Sequence, residues 1–439
     1  MNPFFSIIIP IYNSQKYFKP CLSSILGQNF NNYEVLIVND ASNDGTKKIC
    51  NNFKKLSSKI KIIENKKNLG VSVSRNKGIK KAVGKYIIFL DSDDVLLPRS
   101  LEKLYHHILL TKTNIVVLEH NELKNSYKNS IIRDSEIRGF FKKKIFSKKK
   151  IQLINLVENF KLFNPLCYNF SINRNFILKN EIFFEDIRMH EDHLFVSRLF
   201  YCREKASYPG IITHSRRSTS LESLGRTVGY EVCISSAKNL FFYLKDSKKN
   251  RLSKIEKECI FENLNFFTKK FFLNLLICSK KDLLDLNKFI CKKYPTLIIN
   301  MNKIVMKKKF TGKNNSNLEK WNMFIKNILK KLGNEFNINE EEKVNIFCSS
   351  AYSKICIKLL KNNFKIKINA VFDNNKDFQN QKIENIKIKS INKYTNNNIK
   401  FLVCNLNDND FKKIKNQLMK LKVPKNKITQ FNILKNYKI

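Results

Sequence analysis

The first 120 residues alternate short, continuously apolar runs with segments of helical period, and that alternation leaves few folds open. Phe5-Ser6-Ile7-Ile8-Ile9 is stopped by Pro10, and Val35-Leu36-Ile37-Val38 ends in Asn39-Asp40. Further runs span Ile60 to Ile63, Tyr86 to Leu90 and Asn114 to Leu118. Between them, Tyr17 to Leu26, the stretch through Phe53 and Leu56 opened by Asn43-Asp44-Gly45, and the Lys-rich Gly70 to Val83 read as helices. Strands apolar at consecutive positions are buried on both faces. Separated by helices, they predict an α/β fold with a mainly parallel sheet covered by helices on both faces.

Such sheets take ligands outside the carboxyl ends of their strands. Two polar clusters stand there. One is Asn39-Asp40; the other is Asp91-Ser92-Asp93-Asp94, directly after the Tyr86 to Leu90 run. Three carboxylates within four residues repel one another unless a cation lies between them. Oxygen ligands suit Mg²⁺ or Mn²⁺, which would in turn hold phosphates. The plainer alternative is a solvated acidic turn before the helix that begins near Pro98.

Farther on, Phe140-Phe141-Lys142-Lys143-Lys144-Ile145-Phe146-Ser147-Lys148-Lys149-Lys150 interleaves aromatics with Lys, as a segment lying on an anionic membrane or as a solvated basic loop. His190-Glu191-Asp192-His193 precedes an amphipathic pattern at Leu194, Phe195, Val196, Leu199 and Phe200. Its acids can serve a helix dipole, and no second cluster at ligand spacing supports zinc. In Thr213 to Ser220, Arg216 and Arg217 stand among hydroxyls, a composition that suits phosphate. Helical patterns fill about Glu222 to Tyr294, and Thr311 to Asn317 has a linker's composition. Strand–helix alternation restarts at Lys343 to Cys348, Ile368 to Phe372 (followed by Asp373) and Phe401 to Cys404. A dinucleotide fingerprint is missing there: Cys348-Ser349-Ser350-Ala351-Tyr352-Ser353 occupies its place, and no glycine follows Gly333. The organisation expected is a catalytic domain over 1–225, a helical extension over 226–310, a linker region over 311–340 and a small Rossmann-like α/β domain over 341–439.

The formal net charge of +45 is carried mostly by Lys spread along the whole chain, a background that favours polyanions in general more than any one nucleic-acid module. Eleven cysteines without a C-x-x-C pair fit reduced thiols in a cytosolic compartment. No signal peptide pattern opens the chain and no run reaches the roughly 18 apolar residues that span a bilayer. A cytoplasmic protein is expected, with the Phe140 to Lys150 segment suiting a peripheral seat on the inner face of the plasma membrane.

Over residues 4 to about 225 the chain resembles the family-two glycosyltransferases of A-type fold, which use nucleotide-sugar donors. The resemblance is carried by Ser6-Ile7-Ile8-Ile9-Pro10-Ile11-Tyr12-Asn13, by Val38-Asn39-Asp40-Ala41-Ser42-Asn43-Asp44-Gly45-Thr46, and by Asn68-Leu69-Gly70-Val71-Ser72-Val73-Ser74-Arg75-Asn76-Lys77-Gly78. Gly84 to Asp94 and Glu191-Asp192 complete it. It implies that Pro10 and Tyr12 line the nucleotide pocket, that Asp40 bonds the base, and that Arg75 lies near the base or diphosphate. It puts Asp91, Asp93 and Asp94 on the donor's ribose and diphosphate, with Asp93 and Asp94 on a divalent cation (Mn²⁺ or Mg²⁺), and Arg216 or Arg217 beside the leaving group. Asp192, with Glu191 as the other choice, falls at the catalytic base of inverting members. His214 stands where relatives often carry Tyr. The expected partners are a nucleotide-sugar donor and a glycan or lipid-linked acceptor, in surface glycan synthesis. A sugar-nucleotidyltransferase would want a Gly-rich, Arg-containing loop after the first strand, where this chain has Tyr12-Asn13-Ser14-Gln15-Lys16. A nucleic-acid or polyanion binder would want its Lys residues concentrated in one module.

Overall fold

The computed structural model describes residues 2–123, 151–152, 166–217, 227–249, 252–294, 297, 321–323, 325–330, 343–348, 350–376, 378–394, 399–404 and 408–431. The Phe140 to Lys150 segment, the Thr311 to Asn317 stretch, and Ser218 to Ser220 lie outside them. The chain divides into two compact units, one of Met1–Ser218 with Lys249–Ile260 and one of Thr219–Lys248 with Phe261–Ile439. No helix among the described residues is long and apolar enough to cross a membrane.

In the first unit, β1 (Phe5–Ile11), β2 (Tyr33–Asn39), β3 (Ile60–Glu64) and β4 (Tyr86–Phe89) pair in parallel in the order β3-β2-β1-β4. The alternation of side chains along β1 assigns its residues to two cores. Ile7 and Ile9 pack with Phe18, Leu22 and Ile25 of α1 (Phe18–Leu26), Cys50 of α2 (Thr46–Leu56), and Leu101 and Leu104 of α4 (Ser100–Thr111). Ile8 faces the other way, against Ile79 of α3 (Val71–Lys81) and a cluster containing Phe195 and Leu199. Each such side chain, fully buried, stabilises the fold by about 1.5–3 kcal/mol. The approach of α3 to β1 demands a glycine: a Cβ on Gly78 would stand 2.3 Å from Ile8 Cγ2.

Two details depart from the sequence reading. β1 continues through Pro10 to Ile11. The Leu90 N–H bonds to the Ile8 carbonyl, so the even residues of β1 turn their backbone towards β4, and pairing with β4 ends at Ile8. The N–H that Pro10 lacks would have met no partner there. The sheet is also mixed. β9 (Phe170–Asn173) runs antiparallel between β4 and β6 (Ile115–Val117). Beyond β6 come β10 (Lys205–Ser207), parallel to it, and β8 (Ile151–Gln152), antiparallel to β10. A second sheet has β11 (Ile212–Arg217) between β5 (Val95–Leu96) and β7 (Glu119–Leu123). It brings the Arg216-Arg217 stretch alongside the strand that follows the acidic cluster. α5 (Arg174–Lys179) and α6 (Glu191–Tyr201) complete the picture up to β10.

The second unit contains helices Tyr230–Asp246 and Lys280–Lys293, the latter opened by a Ser279–Asp282 capping box. It also holds a six-stranded sheet. β12 (Lys343–Phe347) lies at its centre between β13 (Lys367–Phe372) and β16 (Lys400–Val403), with β15 (Ile386–Lys389) and β17 (Ile428–Gln430) outside them, all parallel. The two-residue β14 (Lys382–Ile383) adds an antiparallel edge. Helix Ala351–Phe364 follows β12, opened by Ser350 and Ser353 in a capping box where a phosphate loop would need glycines.

Candidate active site

Three elements of the first unit bring the acids together. β4 ends at Phe89, and the turn that follows carries Asp91 to Asp94, tied by the Asp94 N–H to the Asp91 carbonyl at 3.1 Å. Glu191 and Asp192 occupy the first turn of α6, both 8% exposed, behind His190 in left-handed backbone at φ 61°. Between the two groups stands Arg75, on α3 and 3% exposed. Its Nη2 donates to Asp91 Oδ1 at 2.9 Å, and its Nη1 donates to Asp192 Oδ1 at 3.0 Å and to Glu191 Oε1 at 2.5 Å. The guanidinium also lies 5.3 Å from the Phe184 ring centre.

Further bonds hold α3 to the segment leading into α6. The Ser72 hydroxyl donates to the Ile187 carbonyl, and the Asn76 amide exchanges bonds with both the N–H and the carbonyl of Phe184, at 2.7–2.9 Å. The Cys167 N–H donates to Asp192 Oδ2 at 3.3 Å, so both oxygens of that carboxylate are engaged.

These surroundings divide the two acids of α6. Burial and the adjacent Asp192 charge push Glu191 well above the ordinary carboxylate range, against the pull of Arg75. Burial acts on Asp192 as well, but Arg75, the hydrogen bond from Glu191 and the Cys167 N–H outweigh it and hold Asp192 low. The two shifts run in opposite directions, favouring the proton on Glu191 and the charge on Asp192 within one coupled pair. Arg75 stays charged: burial opposes its charge, and Cys167, Asp192, Asp91 and Glu191 override it.

The acidic turn is differently balanced. Burial, then the Asp91 charge, push Asp93 up to about 6, with Arg217 and Arg216 only partly offsetting them. Asp94 is 1% exposed and is raised further by burial, Asp93 and Asp91. Its Oδ1 accepts the Arg217 N–H at 2.9 Å, and its Oδ2 has no hydrogen-bond partner among the described residues. Among the described residues no group of three or more His, Cys, Asp or Glu forms a metal cage. A hard cation does not require one, since Mg²⁺ is commonly held by one or two carboxylates plus substrate phosphates. The undercompensated Asp93 and the open Asp94 Oδ2 fit that donor set.

The remaining predicted residues fall as follows. Pro10 is half-buried near the end of β1 and Tyr12 is exposed just beyond it. Asp40, buried after β2, spends both oxygens on its own scaffold: Oδ1 accepts from Asn65 Nδ2 and the Leu69 N–H, and Oδ2 from the Gly70 N–H, at 2.7–2.8 Å. Gly70 caps α3 at φ 90°, a backbone angle that glycine adopts without strain. The Arg217 guanidinium lies over the Tyr17 ring at 4.2 Å, and Arg216 lies in the field of Tyr168, Asp94, Asp91 and Asp93.

Sequence reasoning missed Cys167 and Tyr168, which sit in a one-turn 3-10 helix with no periodicity to mark them. Tyr168 packs edge-on to His214 at 5.0 Å and to His120 at 5.5 Å, and the two imidazoles stack at 5.5 Å. The Tyr168 hydroxyl and His214 Nε2 are buried without a hydrogen-bond partner among the described residues. Burial, then His120 and Arg216, lower His214 to about 3, so it is neutral.

Residues 6–177 match the family model described as Glycosyl transferase family 2. Glycosyltransferase GlyA of Streptococcus pneumoniae is 35% identical over 133 residues, covering 30% of this chain and 19% of GlyA. The minor teichoic acid biosynthesis protein GgaA of Bacillus subtilis is 31% identical over 202 residues, covering 44% of this chain and 43% of GgaA. The chain thus spans less than half the length of either relative. The crystal structure of S. aureus TarS 1-349 in complex with UDP-GlcNAc superposes with a TM-score of 0.51 at 16% identity, covering 74% of this chain and 92% of that one, a likeness of fold. Residues 6–177 are thus similar to the glycosyl transferase family 2 model, and the α/β fold they form is like that of TarS.

Proposed function

We propose that the protein is an inverting glycosyltransferase that moves a sugar from a nucleoside-diphosphate sugar to an acceptor hydroxyl in the building of a cell-surface glycan. The observation that carries this reading is the convergence of the Asp91 to Asp94 turn and the Glu191–Asp192 pair on one buried guanidinium, that of Arg75. An acceptor hydroxyl is a weak nucleophile until a positioned carboxylate takes its proton. Asp192 takes that proton as the hydroxyl oxygen bonds to the sugar's anomeric carbon. The bond from that carbon to the diphosphate breaks on the opposite face, and its electron pair leaves with the nucleoside diphosphate. Arg216 and Arg217 face that departing charge. Asp93 and Asp94 would hold Mn²⁺ or Mg²⁺, which supplies charge neutralisation on the diphosphate when bound. Pro10, Tyr12 and Asp40 line the nucleotide side.

The donor class is supported by TarS, whose structure holds UDP-GlcNAc, and the glycan class by GgaA, named for teichoic acid biosynthesis. In this reading residues 1–225 are catalytic, the six-stranded unit near the C-terminus is a Rossmann-like module, and the enzyme works at the cytoplasmic face of the membrane, with Phe140 to Lys150 as its seat. A panel of nucleotide sugars, assayed for acceptor-dependent release of nucleoside diphosphate, tests the activity. One donor should turn over and give a product of inverted anomeric configuration by NMR. No release across the panel, with no nucleotide binding by calorimetry, would overturn the proposal.

A further inference from the structure

We infer that Arg75 is a positioning residue for the acceptor base, fastening Asp192 to the acidic turn, and is not a contact to the nucleotide. The inference rests on the glycosyltransferase reading above, but its geometry is independent of any donor. Every hydrogen bond made by the guanidinium goes to a carboxylate: Nη2 to Asp91 and Nη1 to both Glu191 and Asp192, at 2.5–3.0 Å. At 3% exposure it presents almost no surface to a ligand, and its Nε is buried without a partner among the described residues. Phe184 closes one face of it.

The supporting bonds say the same. Ser72, Arg75 and Asn76 of one helix bond to Ile187, to the acids of α6, and to Phe184. α3 is thus a strut between the end of β4 and the start of α6. A guanidinium suits the task because its planar fork offers donors in fixed directions, so two carboxylates on α6 and one on the turn are reached without rearrangement. Lys offers a single nitrogen and cannot reproduce that span. Asp192 is faced by Arg75 from α3, by Cys167 and Tyr168 from the 3-10 turn, and by Glu191 and His193 from its own helix. Arg75 is the only full positive charge in that set whatever the pH, and its loss would leave Asp192 buried with only backbone and Glu191 donors.

The test compares Arg75→Gln and Arg75→Lys with the wild-type full chain. Turnover of Arg75→Gln should fall by about 10²-fold, the cost of a misplaced catalytic group. Arg75→Lys should fall less. Nucleoside diphosphate affinity, by calorimetry, should stay within about threefold in both. Were Arg75 a phosphate or base contact, losing that charge-assisted bond would weaken binding by about tenfold or more. In protein carrying ¹³Cγ-labelled Asp, the Asp192 signal, assigned by its loss in Asp192→Asn, should titrate at higher pH in Arg75→Gln than in wild type. The acid limb of turnover should move the same way, which a residue serving stability alone would not cause. If Arg75→Gln does not fold, Arg75→Lys carries the test through turnover against affinity. Weakened nucleotide binding with an unmoved Asp192 titration would overturn the inference. Absence of wild-type turnover would instead sink the glycosyltransferase reading, and the Asp192 titration would still decide the role of Arg75.

Discussion

Gly78→Ala is the smallest change that should separate stability from activity in this protein. The new Cβ would meet Ile8 Cγ2 at 2.3 Å and Ile8 Cγ1 and Cδ1 at 3.2 Å. Carbon pairs rest at about 3.5–4.0 Å, so α3 must lift from β1 by more than about an ångström. Ile8 cannot yield instead, because it is wholly buried at the centre of the sheet with Leu36 and Ile87 beside it. Overpacking of this kind costs about 1–3 kcal/mol, while replacing Gly by Ala inside a helix returns about 1 kcal/mol. The net destabilisation is then only about 0–2 kcal/mol. Activity should suffer more. Arg75 lies one turn earlier on α3, and a displacement near 1 Å spoils hydrogen bonds of 2.5–3.0 Å. About 10²-fold loss of turnover is the expected scale. Urea unfolding and nucleoside diphosphate release measure the two effects on the same sample. Ile8→Ala removes the clashing methyl at a cost of about 2–5 kcal/mol, so the double variant should be less destabilised than the sum, with a coupling of about 0.5–3 kcal/mol. Additive costs, or a Gly78→Ala enzyme with full turnover, would refute the reasoning.

Asp192→Asn should lower turnover by about 10²–10⁴-fold and leave nucleotide affinity unchanged. Because Asp192 is held below the usual carboxylate range, it is ionised above its depressed pKa, and activity should be lost only as pH falls through that value; an acid limb near neutral pH would contradict this. Asp93→Ala should abolish the stabilisation that Mn²⁺ with nucleotide gives the wild type, which reaches about 2.7 kcal/mol at a hundredfold excess over Kd; equal activity in EDTA and Mn²⁺ would remove the cation from the proposal. A chain ended at residue 260 should resist proteolysis better than one ended at 248, because Lys249–Ile260 belongs to the first unit, with Ile255 and Cys259 in its core and Glu256 bonded to Arg203 at 2.8–3.0 Å. Equal protease resistance would mean that this segment adds nothing to the first unit.

The parallel heart of the fold was legible because β1, β2 and β4 are apolar on both faces, a pattern a single chain position at a time can reveal. β9 was not, since Phe170–Asn173 is four residues long and its antiparallel place between β4 and β6 is set by partners more than 50 residues away. Asp91 to Asp94 stood out for the same reason as the strands, at an end that an apolar run defines, whereas Glu191 and Asp192, at a helix start, stood out only through the motif resemblance. Arg75 illustrates the opposite case. The Asn68 to Gly78 motif singles it out, but on a helix that also carries Lys77, Lys80 and Lys81 the helical period does not mark it as the one that turns inward. Its carboxylate partners at 91, 191 and 192 are seen only in the fold. Asp40 shows a further limit. Its position after β2 suggests a ligand contact, but its bonds to Asn65, Leu69 and Gly70, two on Oδ1 and one on Oδ2, could not be read from that position.

The balance of charge across the site follows a single logic. Asp91, Asp93, Asp94, Glu191 and Asp192 confront three guanidinium groups, those of Arg75, Arg216 and Arg217. Around Asp192 the balance is closed: one arginine is present, Glu191 is raised while Asp192 is lowered, and both oxygens of Asp192 are hydrogen-bonded. Around Asp93 and Asp94 it is open, with both carboxyls raised by burial and by neighbouring acids, Asp91 acting on Asp93 and both Asp93 and Asp91 on Asp94, despite the arginines of β11. Crowding acids without enough counter-charge destabilises a fold, and such strain is retained where a ligand relieves it. A cation with a diphosphate would relieve it at the acidic turn and leave the pair on α6 untouched. In the proposed reaction, donor binding and proton abstraction could then be tuned separately, with Arg75, bonded to Asp91 on one side and Asp192 on the other, as the structural link between them.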